Sequence, residues 1–249
     1  MPYFKPAISP IVRFFKRRWL PFAYRGSGIT CTICNENFRA YVGAPLGGCP
    51  GCGAPERARL LWFFLERHRP DLLTGSPLVL QIAPDTGLES RLRSMKGIRY
   101  LSGDLYEPEA MVKLDLTKLD LPDSCFDLII CLHVLAHISE DRRAMREMFR
   151  VLRPGGVALI MTPMNTSVHD TYEDPSIIDP SDRDKAYGEW DFVRVYGLDF
   201  SDRLTESGFK VEIIQPAEQI SEPERHMMGI WNDQIFVCRR PDTGKIGVL

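Results

Sequence analysis

The chain has 249 residues, of which 44% are hydrophobic and 26% charged, as is ordinary for a soluble globular protein. A net charge of −2 argues against a protein that coats nucleic acid over its whole surface. No apolar run reaches the roughly 18–20 residues that a membrane-spanning helix needs, and basic residues interrupt the apolar ones near the N-terminus, so we expect neither a membrane span nor a secretory signal. Seven cysteines, four of them in C-x2-C pairs, are typical of a reducing compartment, and we therefore expect a cytoplasmic protein.

Residues 1–28 mix aromatic and basic side chains and are predicted to form an N-terminal arm. Residues 1–75 hold eleven of the 31 Lys and Arg residues but only four of the 33 Asp and Glu residues, which suggests two units with different surfaces. The arm has three alternative roles. It packs on the body of the protein, lies on an anionic membrane surface as a peripheral contact, or touches an RNA backbone.

The next segment, residues 29–55, contains Cys31, Cys34, Cys49 and Cys52 in a C-x2-C-x14-C-x2-C arrangement. Each two-residue gap lets both thiolates of a pair turn toward one ion, and two such pairs complete a tetrahedron. The middle gap is one residue shorter than the usual four-cysteine zinc spacing. A redox dithiol would explain one pair and leave the other without a role. We therefore predict a structural Zn²⁺ site with no open coordination position.

A largely apolar helix from Glu56 to Arg69 is predicted within a linking segment, residues 56–75, and residues 76–249 form the remaining domain. This domain begins with an apolar strand at residues 77–83, followed by a tight turn and a helix. Nucleotide-binding α/β domains begin in the same way, because the amides at the start of the helix face the ligand.

The clearest pattern in the chain runs from residue 126 to residue 156. Its first seven residues are typical of a strand buried on both faces, Ser139 precedes an amphipathic helix, and Pro154 ends that helix before another strand. A strand–helix–strand unit of this kind implies parallel pairing. His133 and His137 follow the first of these strands, at the edge where open α/β sheets bind ligands. Seven strands are predicted in all, at residues 77–83, 99–102, 111–114, 126–132, 156–161, 210–214 and 234–239.

A long segment rich in polar and turn residues, residues 164–196, follows the strand at 156–161. It is too long for an ordinary connection, and we predict a lid that folds over the ligand-binding edge. Asp191, Arg194 and Tyr196 are candidate catalytic or substrate-contacting residues of this lid. Arg194 would suit a carboxylate or a phosphate group.

Several of these features together resemble the class I S-adenosylmethionine (SAM)-dependent methyltransferases, in particular those of the type 11-like group. The resemblance depends on the strand VLQIA with its tight turn, on Asp104 and Asp115 after the next two strands, and on FDLIICLHVL followed by RVLRPGG. It covers about residues 76–240. The cysteine module and the stretch from TYEDPS to RLTESGF are similar to a little-characterised subgroup. The resemblance implies an α/β fold with a Rossmann-like sheet of seven strands, in the order 3-2-1-4-5-7-6 with one antiparallel strand, preceded by a small zinc-binding module.

The resemblance also implies a binding site for SAM. The turn after the first strand would hold the methionine end, Asp104 would accept hydrogen bonds from the ribose, and Asp115 would face the adenine. Leu132 and His133 would border the methyl group. The cofactor-binding residues implied in this way are Gln81, Ala83, Pro84, Gly87, Asp104, Leu105, Asp115, Leu116, Leu132 and His133.

A general base is harder to assign from the residues. His133 is the first candidate, because an imidazole titrates near neutral pH, while His137 would point away if it began the next helix. Members of the subgroup would be expected to have a Glu in place of Ala136 and a His in place of Phe192. These two departures leave the identity of the base open.

Three functions are compatible with the sequence. The first is methyl transfer from SAM to an oxygen of a small molecule, a glycan or a glycolipid. The second is methylation of a base in ribosomal or transfer RNA, with the zinc module binding the RNA. The third is a non-catalytic SAM-binding protein. The sequence predicts no oligomeric state.

Overall fold

A computed structural model describes residues 19–43 and 47–242, so residues 1–18 of the predicted arm lie outside the described part. In chain order, the strands and helices are β1 (Arg25–Thr30), β2 (Asn37–Phe38), α1 (Glu56–Arg67), β3 (Leu78–Ile82), α2 (Thr86–Ser94), β4 (Arg99–Asp104), β5 (Val112–Lys113), β6 (Phe126–Leu132), α3 (Asp141–Val151), β7 (Leu152–Met161), α4 (Pro180–Tyr187), α5 (Phe200–Glu206), β8 (Lys210–Ile214), α6 (Glu222–Met228) and β9 (Ile235–Arg239). The chain divides into two compact units. Unit 1 comprises Met1–His68, Asp85–Arg91 and Pro216–Asp233, and unit 2 comprises Arg69–Pro84, Leu92–Gln215 and Gln234–Leu249. The sequence had placed residues 216–233 in the domain at 76–249.

Unit 2 contains a seven-stranded sheet in the order β5-β4-β3-β6-β7-β9-β8. Strands β5, β4, β3, β6 and β7 pair in parallel, whereas β9 is antiparallel to both of its neighbours. Counted along the chain, this order is 3-2-1-4-5-7-6 with one antiparallel strand, which confirms the prediction. Strand β6 lies in the middle and is buried almost throughout, as its continuous apolar run predicts.

Helix α3 packs its apolar stripe into the core of unit 2, where Ala144, Met145 and Met148 are fully buried. Its boundaries differ from the prediction. The N-cap is Glu140 rather than Ser139, and the helix ends at Val151 rather than at the Pro-Gly-Gly sequence.

Strand β7 begins directly after this helix, because its first residues have partners of their own. Leu152 pairs with Phe126 of β6, the Gly155 amide donates to the Arg240 carbonyl at 2.9 Å, and the Arg240 amide donates to the Gly156 carbonyl at 3.0 Å. The Arg240 guanidinium also donates to carbonyls at the end of α3 and to that of Leu152. Pairing with Arg240, directly after β9, therefore makes this stretch part of a strand, although its sequence predicts only the end of a helix.

Unit 1 is built around α1, whose residues from Ala58 to Leu65 are all buried. Arg59 in this helix has no exposed surface. Its guanidinium donates to the carbonyl of Gly229 at 2.7 and 3.1 Å, to that of Ala54 at 2.7 Å and to that of Gly47 at 2.9 Å. A single buried cation thus joins α1, the second cysteine loop and the end of α6.

Tyr41 stacks on the same guanidinium, whose carbon lies 3.8 Å from the ring centroid. The Tyr41 hydroxyl donates to the carbonyl of Met228 at 2.7 Å. Gly229 has φ +58°, and a Cβ atom there would lie 2.0 Å from the Tyr41 ring, so only glycine is compatible with this contact. In residues 19–43 and 47–242, no helix is both long and apolar enough to cross a bilayer.

Candidate functional site

The candidate cofactor site lies where three neighbouring parallel strands end. Ile82 of β3 pairs with Gly103 of β4 on one side and with Cys131 of β6 on the other. The residues that follow, Ala83, Asp104 and Leu132, therefore reach the carboxyl edge of the sheet at the same level. Open α/β sheets bind their ligands at this edge.

The turn after β3 has a backbone conformation that usually favours glycine, but the residue at this position is Ala83. Ala83 has φ +48°, and its amide donates to the Gly103 carbonyl at 2.9 Å. A left-handed conformation costs an ordinary L-residue about 1–2 kcal/mol, and such strain is concentrated at functional sites. Before this turn, Gln81 is buried and its side-chain oxygen accepts from the Tyr100 hydroxyl at 2.7 Å. Pro84 is half-buried.

Asp104 is held in place by the loop that follows it. Its Oδ1 atom accepts the amides of Tyr106 and Glu107, each at 2.7 Å. Both amides donate to the same oxygen of Asp104. They fix the carboxylate and leave Oδ2 outside these two hydrogen bonds. Leu105 is 36% exposed beside it.

Asp115 and Leu116 follow β5 and have opposite environments. Leu116 is buried, whereas Asp115 is exposed and its Oδ1 accepts the amide and the hydroxyl of Thr117 at 2.8 and 2.7 Å. These hydrogen bonds lower the pKa of Asp115 below its ordinary value. Asp115 therefore stabilises its own turn, and its predicted contact with adenine stays a prediction.

His133 follows β6 in an unusual conformation. It has φ +55°, its amide donates to the Met161 carbonyl at 2.8 Å, and its Nε2 atom is buried. Leu132 before it is buried. Thr162, which follows β7 at the same edge, is 2% exposed, and its hydroxyl has no hydrogen-bond partner among the described residues. A buried polar atom without a partner marks a place where a ligand atom would fit, and no sequence motif singles Thr162 out.

His137 ends a 3₁₀ turn, Leu135–His137, and lies before the start of α3 at Asp141. Its Nδ1 atom lies 3.5 Å from Oδ2 of Asp191, and its ring centroid lies 4.8 Å from that of Phe192. Ala136 is buried, and its carbonyl accepts the Val193 amide at 2.9 Å. The two positions at which the chain departs from the subgroup thus lie on either side of His137.

Arg194 and Tyr196, two candidates from the lid, are buried rather than facing an open site. Arg194 is 3% exposed and donates to Glu173 Oε2 at 2.7 Å and to the carbonyl of Ser139 at 2.9 Å. Tyr196 has no exposed surface, and its hydroxyl donates to Asp141 Oδ2 at 2.9 Å. Both differ from the expectation of substrate contact because the segment packs back onto the start of α3.

In unit 1, Gly87 lies in the first turn of α2, and a Cβ atom there would be 2.6 Å from Cβ of Ala54. Close packing against the second cysteine loop is therefore a sufficient reason for a glycine at position 87. Asp85 caps the helix by accepting the Leu88 amide at 3.0 Å, and burial raises its pKa.

The four predicted metal ligands converge in unit 1, with all four sulfur atoms within 4.8 Å of one another. The Sγ atoms of Cys31 and Cys52 are 3.7 Å apart, as are those of Cys34 and Cys49. Four sulfurs about 2.3 Å from one tetrahedral ion would be about 3.8 Å apart, whereas a disulfide needs about 2.0 Å. The donor set and its spacing therefore fit Zn²⁺ and exclude disulfides within the cluster.

The pKa values of the four thiols are shifted in opposite directions. A hydrogen bond with Cys31 lowers the pKa of Cys34 to about 7 and that of Cys49 below its ordinary range, whereas the pKa values of Cys31 and Cys52 are raised by their thiol neighbours. The Gly51 amide also donates to the sulfur of Cys49 at 3.4 Å. Deprotonated sulfur is the form that binds zinc.

The sheet order, the strained turn after β3 and the acidic residue at the end of β4 define the class I SAM-dependent methyltransferase fold. Residues 93–160 match the family described as Methyltransferase domain. The matched part of the chain is therefore similar to a methyltransferase domain, and unit 2 has the sheet order of the class I SAM-dependent methyltransferases.

Curated relatives are similar over parts of their length. An S-adenosylmethionine-dependent methyltransferase of Mycolicibacterium smegmatis is 43% identical over 49 residues, which make up 20% of this chain and 19% of that protein. The ubiquinone/menaquinone biosynthesis C-methyltransferase UbiE of Ectopseudomonas mendocina is 36% identical over 67 residues, 24% of this chain and 26% of that protein. A methyltransferase of Encephalitozoon cuniculi is 27% identical over 166 residues, 60% of this chain and 78% of that protein.

Two solved structures are similar at lower identity. The complex between the Haloferax volcanii Trm112 methyltransferase activator and a methyltransferase matches with a TM-score of 0.49 and 15% identity, over 72% of this chain and 92% of that one. A sarcosine dimethylglycine methyltransferase from Galdieria sulphuraria matches with a TM-score of 0.48 and 16% identity, over 73% and 85% of the two chains.

Proposed function

We propose that the chain is a SAM-dependent methyltransferase that methylates an oxygen atom of a small molecule, a glycan or a glycolipid. The observation that carries this proposal is the arrangement at the carboxyl edge of the sheet. There the strained turn at Ala83 and the fixed carboxylate of Asp104 lie beside the end of β6, from which His133 extends. Asp104 Oδ2 suits the ribose hydroxyls, and buried Leu132 suits the apolar part of the cofactor.

The lid supports a small acceptor. Glu173 accepts from Arg194 at 2.7 Å and from Arg203 at 3.2 Å, and the Thr171 hydroxyl donates to Asp199 at 2.5 Å. The first bond joins two parts of the lid, and the other two tie residues near its beginning to α5 and to the N-cap of that helix. A lid anchored in this way encloses a compact acceptor more readily than a long polymer.

Bound SAM supplies an electrophilic methyl group on a sulfonium sulfur. The protein has to hold the acceptor oxygen in line with that methyl group, exclude water and take up the hydroxyl proton. Orientation alone is worth about 7–11 kcal/mol in well-aligned reactions. The carboxylate of Asp104 would fix the ribose, and the imidazoles of His133 and His137, which follow β6, can accept the proton.

The experiment that tests this function is transfer of a labelled methyl group from SAM into fractionated cell extract, sorted into RNA, protein, and glycan, lipid or small-molecule pools. We expect label in the last pool. Label in RNA would overturn the proposal. Tight binding of SAM with no label in any pool would instead favour the non-catalytic alternative.

We also infer that the four-cysteine cluster holds a structural Zn²⁺ ion. Four sulfurs fill the tetrahedron, so no position is left for water or substrate. Metal analysis of the purified protein should give about one zinc per chain, and the Cys49→Ser variant should retain much less. A wild-type protein that contains no zinc after preparation without chelators would refute this inference.

RNA methylation is the second candidate, and one observation on unit 1 favours it. Trp19 and Phe22 are more than 60% exposed, and the Arg25 guanidinium lies 5.4 Å from the Phe22 ring. Arg39 lies 5.1 Å from the Tyr24 ring. Exposed aromatic rings beside arginines suit single-stranded RNA, whose bases stack and whose phosphates attract cations.

Binding of a labelled single-stranded RNA at several salt concentrations tests this candidate. Strong salt dependence in the wild-type protein, and weaker binding by the Trp19→Ala, Phe22→Ala double variant, would support it. Binding to anionic vesicles in place of RNA would assign the same surface to the membrane contact predicted for residues 1–28.

A further inference from the structure

The turn after β6 and the lid together form a histidine–carboxylate pair. Nδ1 of His137 lies 3.5 Å from Oδ2 of Asp191, and these two groups are separated by more than fifty residues of chain. We propose that His137 is the general base that takes the proton from the acceptor hydroxyl and that Asp191 is the positioning residue that orients its ring. This inference rests on the proposed function and names the kind of acceptor that the site takes.

The backbone around His137 is fixed from both sides. The 3₁₀ turn at Leu135–His137 comes two residues after the central strand, and the His137 amide donates to the Val134 carbonyl at 3.0 Å. From the lid, the Val193 amide donates to the Ala136 carbonyl at 2.9 Å, so a residue of the lid is bound to the residue before His137. A base has to be placed precisely to be effective, and this turn cannot shift without breaking bonds to the lid.

The lid also supplies the charge that holds the turn. Arg194 is 3% exposed, and its guanidinium donates to the carbonyls of Leu135, Ile138 and Ser139, which surround His137 in sequence. This cation is itself paired with Glu173. Arg194 therefore acts on the backbone of the turn, while Asp191 is the lid residue that reaches the imidazole.

The ring of His137 is oriented by two neighbours. Asp191 is next to Nδ1, and Phe192 meets the ring edge to face, with 78° between the two planes. A carboxylate at Nδ1 favours the tautomer with the proton on Nδ1, which leaves Nε2 as a proton acceptor. The His137 side chain is 37% exposed, so the ring is partly open to an acceptor.

His133 is less suited to the same role. Its Nε2 atom is buried, and its backbone has φ +55°. This conformation turns the chain at the end of β6, where the His133 amide is held by the Met161 carbonyl. We therefore assign His133 to the wall of the site and His137 to proton transfer.

Methyl transfer to a hydroxyl group replaces the proton on the acceptor oxygen. The acceptor O–H bond breaks and its proton passes to Nε2 of His137, while the oxygen forms a bond to the methyl carbon. The carbon–sulfur bond breaks, and its electron pair stays on sulfur, which becomes a neutral thioether. The proton then leaves the imidazole for solvent, and the carboxylate of Asp191 stabilises the positive charge of the ring in between. The acceptor class that this step fits is an alcohol or a phenol, whose hydroxyl proton has to leave as the oxygen is methylated.

The lid also offers a matched control. Nδ1 of His169 lies 2.8 Å from Oδ1 of Asp170, so this histidine also faces a carboxylate, but its side chain is 71% exposed and it lies outside the turn. The variants His137→Asn and His169→Asn therefore remove the same side chain from two histidine–aspartate pairs, of which one is proposed to act on the acceptor.

The test combines binding, spectroscopy and transfer on the full chain. Calorimetry with S-adenosylhomocysteine should give the wild-type affinity for both variants. Methyl transfer into the extract pool that the wild-type protein labels should fall by roughly 10²–10⁴-fold in His137→Asn and stay unchanged in His169→Asn. Nitrogen-15 NMR of the wild-type imidazole should show the tautomer with the proton on Nδ1, and Asp191→Asn should shift it toward the other tautomer, with recovery in Asp191→Glu.

Transfer by His137→Asn within about threefold of wild type would overturn the inference, as would a wild-type spectrum with the proton on Nε2. Both results leave the proposed function standing when the wild-type protein binds S-adenosylhomocysteine and labels its pool. A wild-type protein that does neither refutes the proposed function itself. The NMR measurement needs no variant, so the inference stays testable even when His137→Asn fails to fold.

Discussion

Replacing Arg59 by Leu should destabilise unit 1 severely, although Arg59 belongs to none of the motifs in the sequence. Arg59 has no exposed surface and donates four hydrogen bonds to three backbone carbonyls, those of Gly47, Ala54 and Gly229. It also stacks on Tyr41 at 3.8 Å. Leucine keeps the length of the apolar stem and removes all of these contacts.

The expected magnitude follows from the groups that are left behind. Two buried carbonyls and one partly buried carbonyl would lose a charged donor, and each buried unsatisfied acceptor costs about 1–3 kcal/mol. Release of the buried guanidinium from its desolvated position offsets part of this cost. We therefore expect the free energy of unfolding of unit 1 to fall by about 3 kcal/mol, which is a large part of the stability of an ordinary domain.

The assay is denaturant unfolding, followed together with the rate at which the buried thiol of Cys31 reacts with an alkylating reagent, read by mass spectrometry. Arg59→Leu should lower the unfolding midpoint and speed the alkylation. The matched control is Arg67→Leu, which removes an exposed arginine from the last turn of the same helix and should change the stability by less than about 0.5 kcal/mol. Equal effects of the two substitutions would refute the reasoning, because the buried hydrogen bonds would then contribute nothing.

Three further predictions concern unit 2. Ala83→Gly should stabilise the protein by about 1 kcal/mol, because it relieves the left-handed conformation at φ +48°; differential scanning fluorimetry should give a melting temperature roughly 2–4 °C higher, and an unchanged one would contradict the strain. Asp104→Ala should weaken binding of S-adenosylhomocysteine in calorimetry by roughly tenfold or more, and an unchanged affinity would remove Asp104 from the site. Asp141→Ala should cost about 3–5 kcal/mol in chemical unfolding, because it leaves Arg203 and the Tyr196 hydroxyl without their buried acceptor, and a loss below about 1 kcal/mol would show that water replaces the carboxylate.

The sheet could be predicted from the sequence because each strand carries its own signal. The run from Phe126 to Leu132 is apolar apart from Asp127, and the structure places it in the middle of the sheet with both faces covered. Order and direction then follow from the resemblance to a known fold. The convergence of the four cysteines could also be predicted, since a spacing of two residues between ligands is a local geometric requirement.

Boundaries set by distant partners could not be predicted in this way. Pro154 reads as the end of a helix, but the stretch around it is already strand, because Leu152 pairs with Phe126 and Gly155 with Arg240. Arg59 reads as an ordinary helical arginine. Its role depends on Gly229, which lies 170 positions further along the chain.

The sequence alone therefore determined approximately where the seven strands of the sheet lie along the chain and which four cysteines share one spacing pattern. These features depend on apolar periodicity and on short spacings, which are local properties of the chain. Only the tertiary structure decided that Arg194 and Tyr196 are buried and that His137 faces Asp191. The burial and the partner of a side chain depend on which distant segment packs over it, and in this protein the lid packs back onto the turn after the central strand.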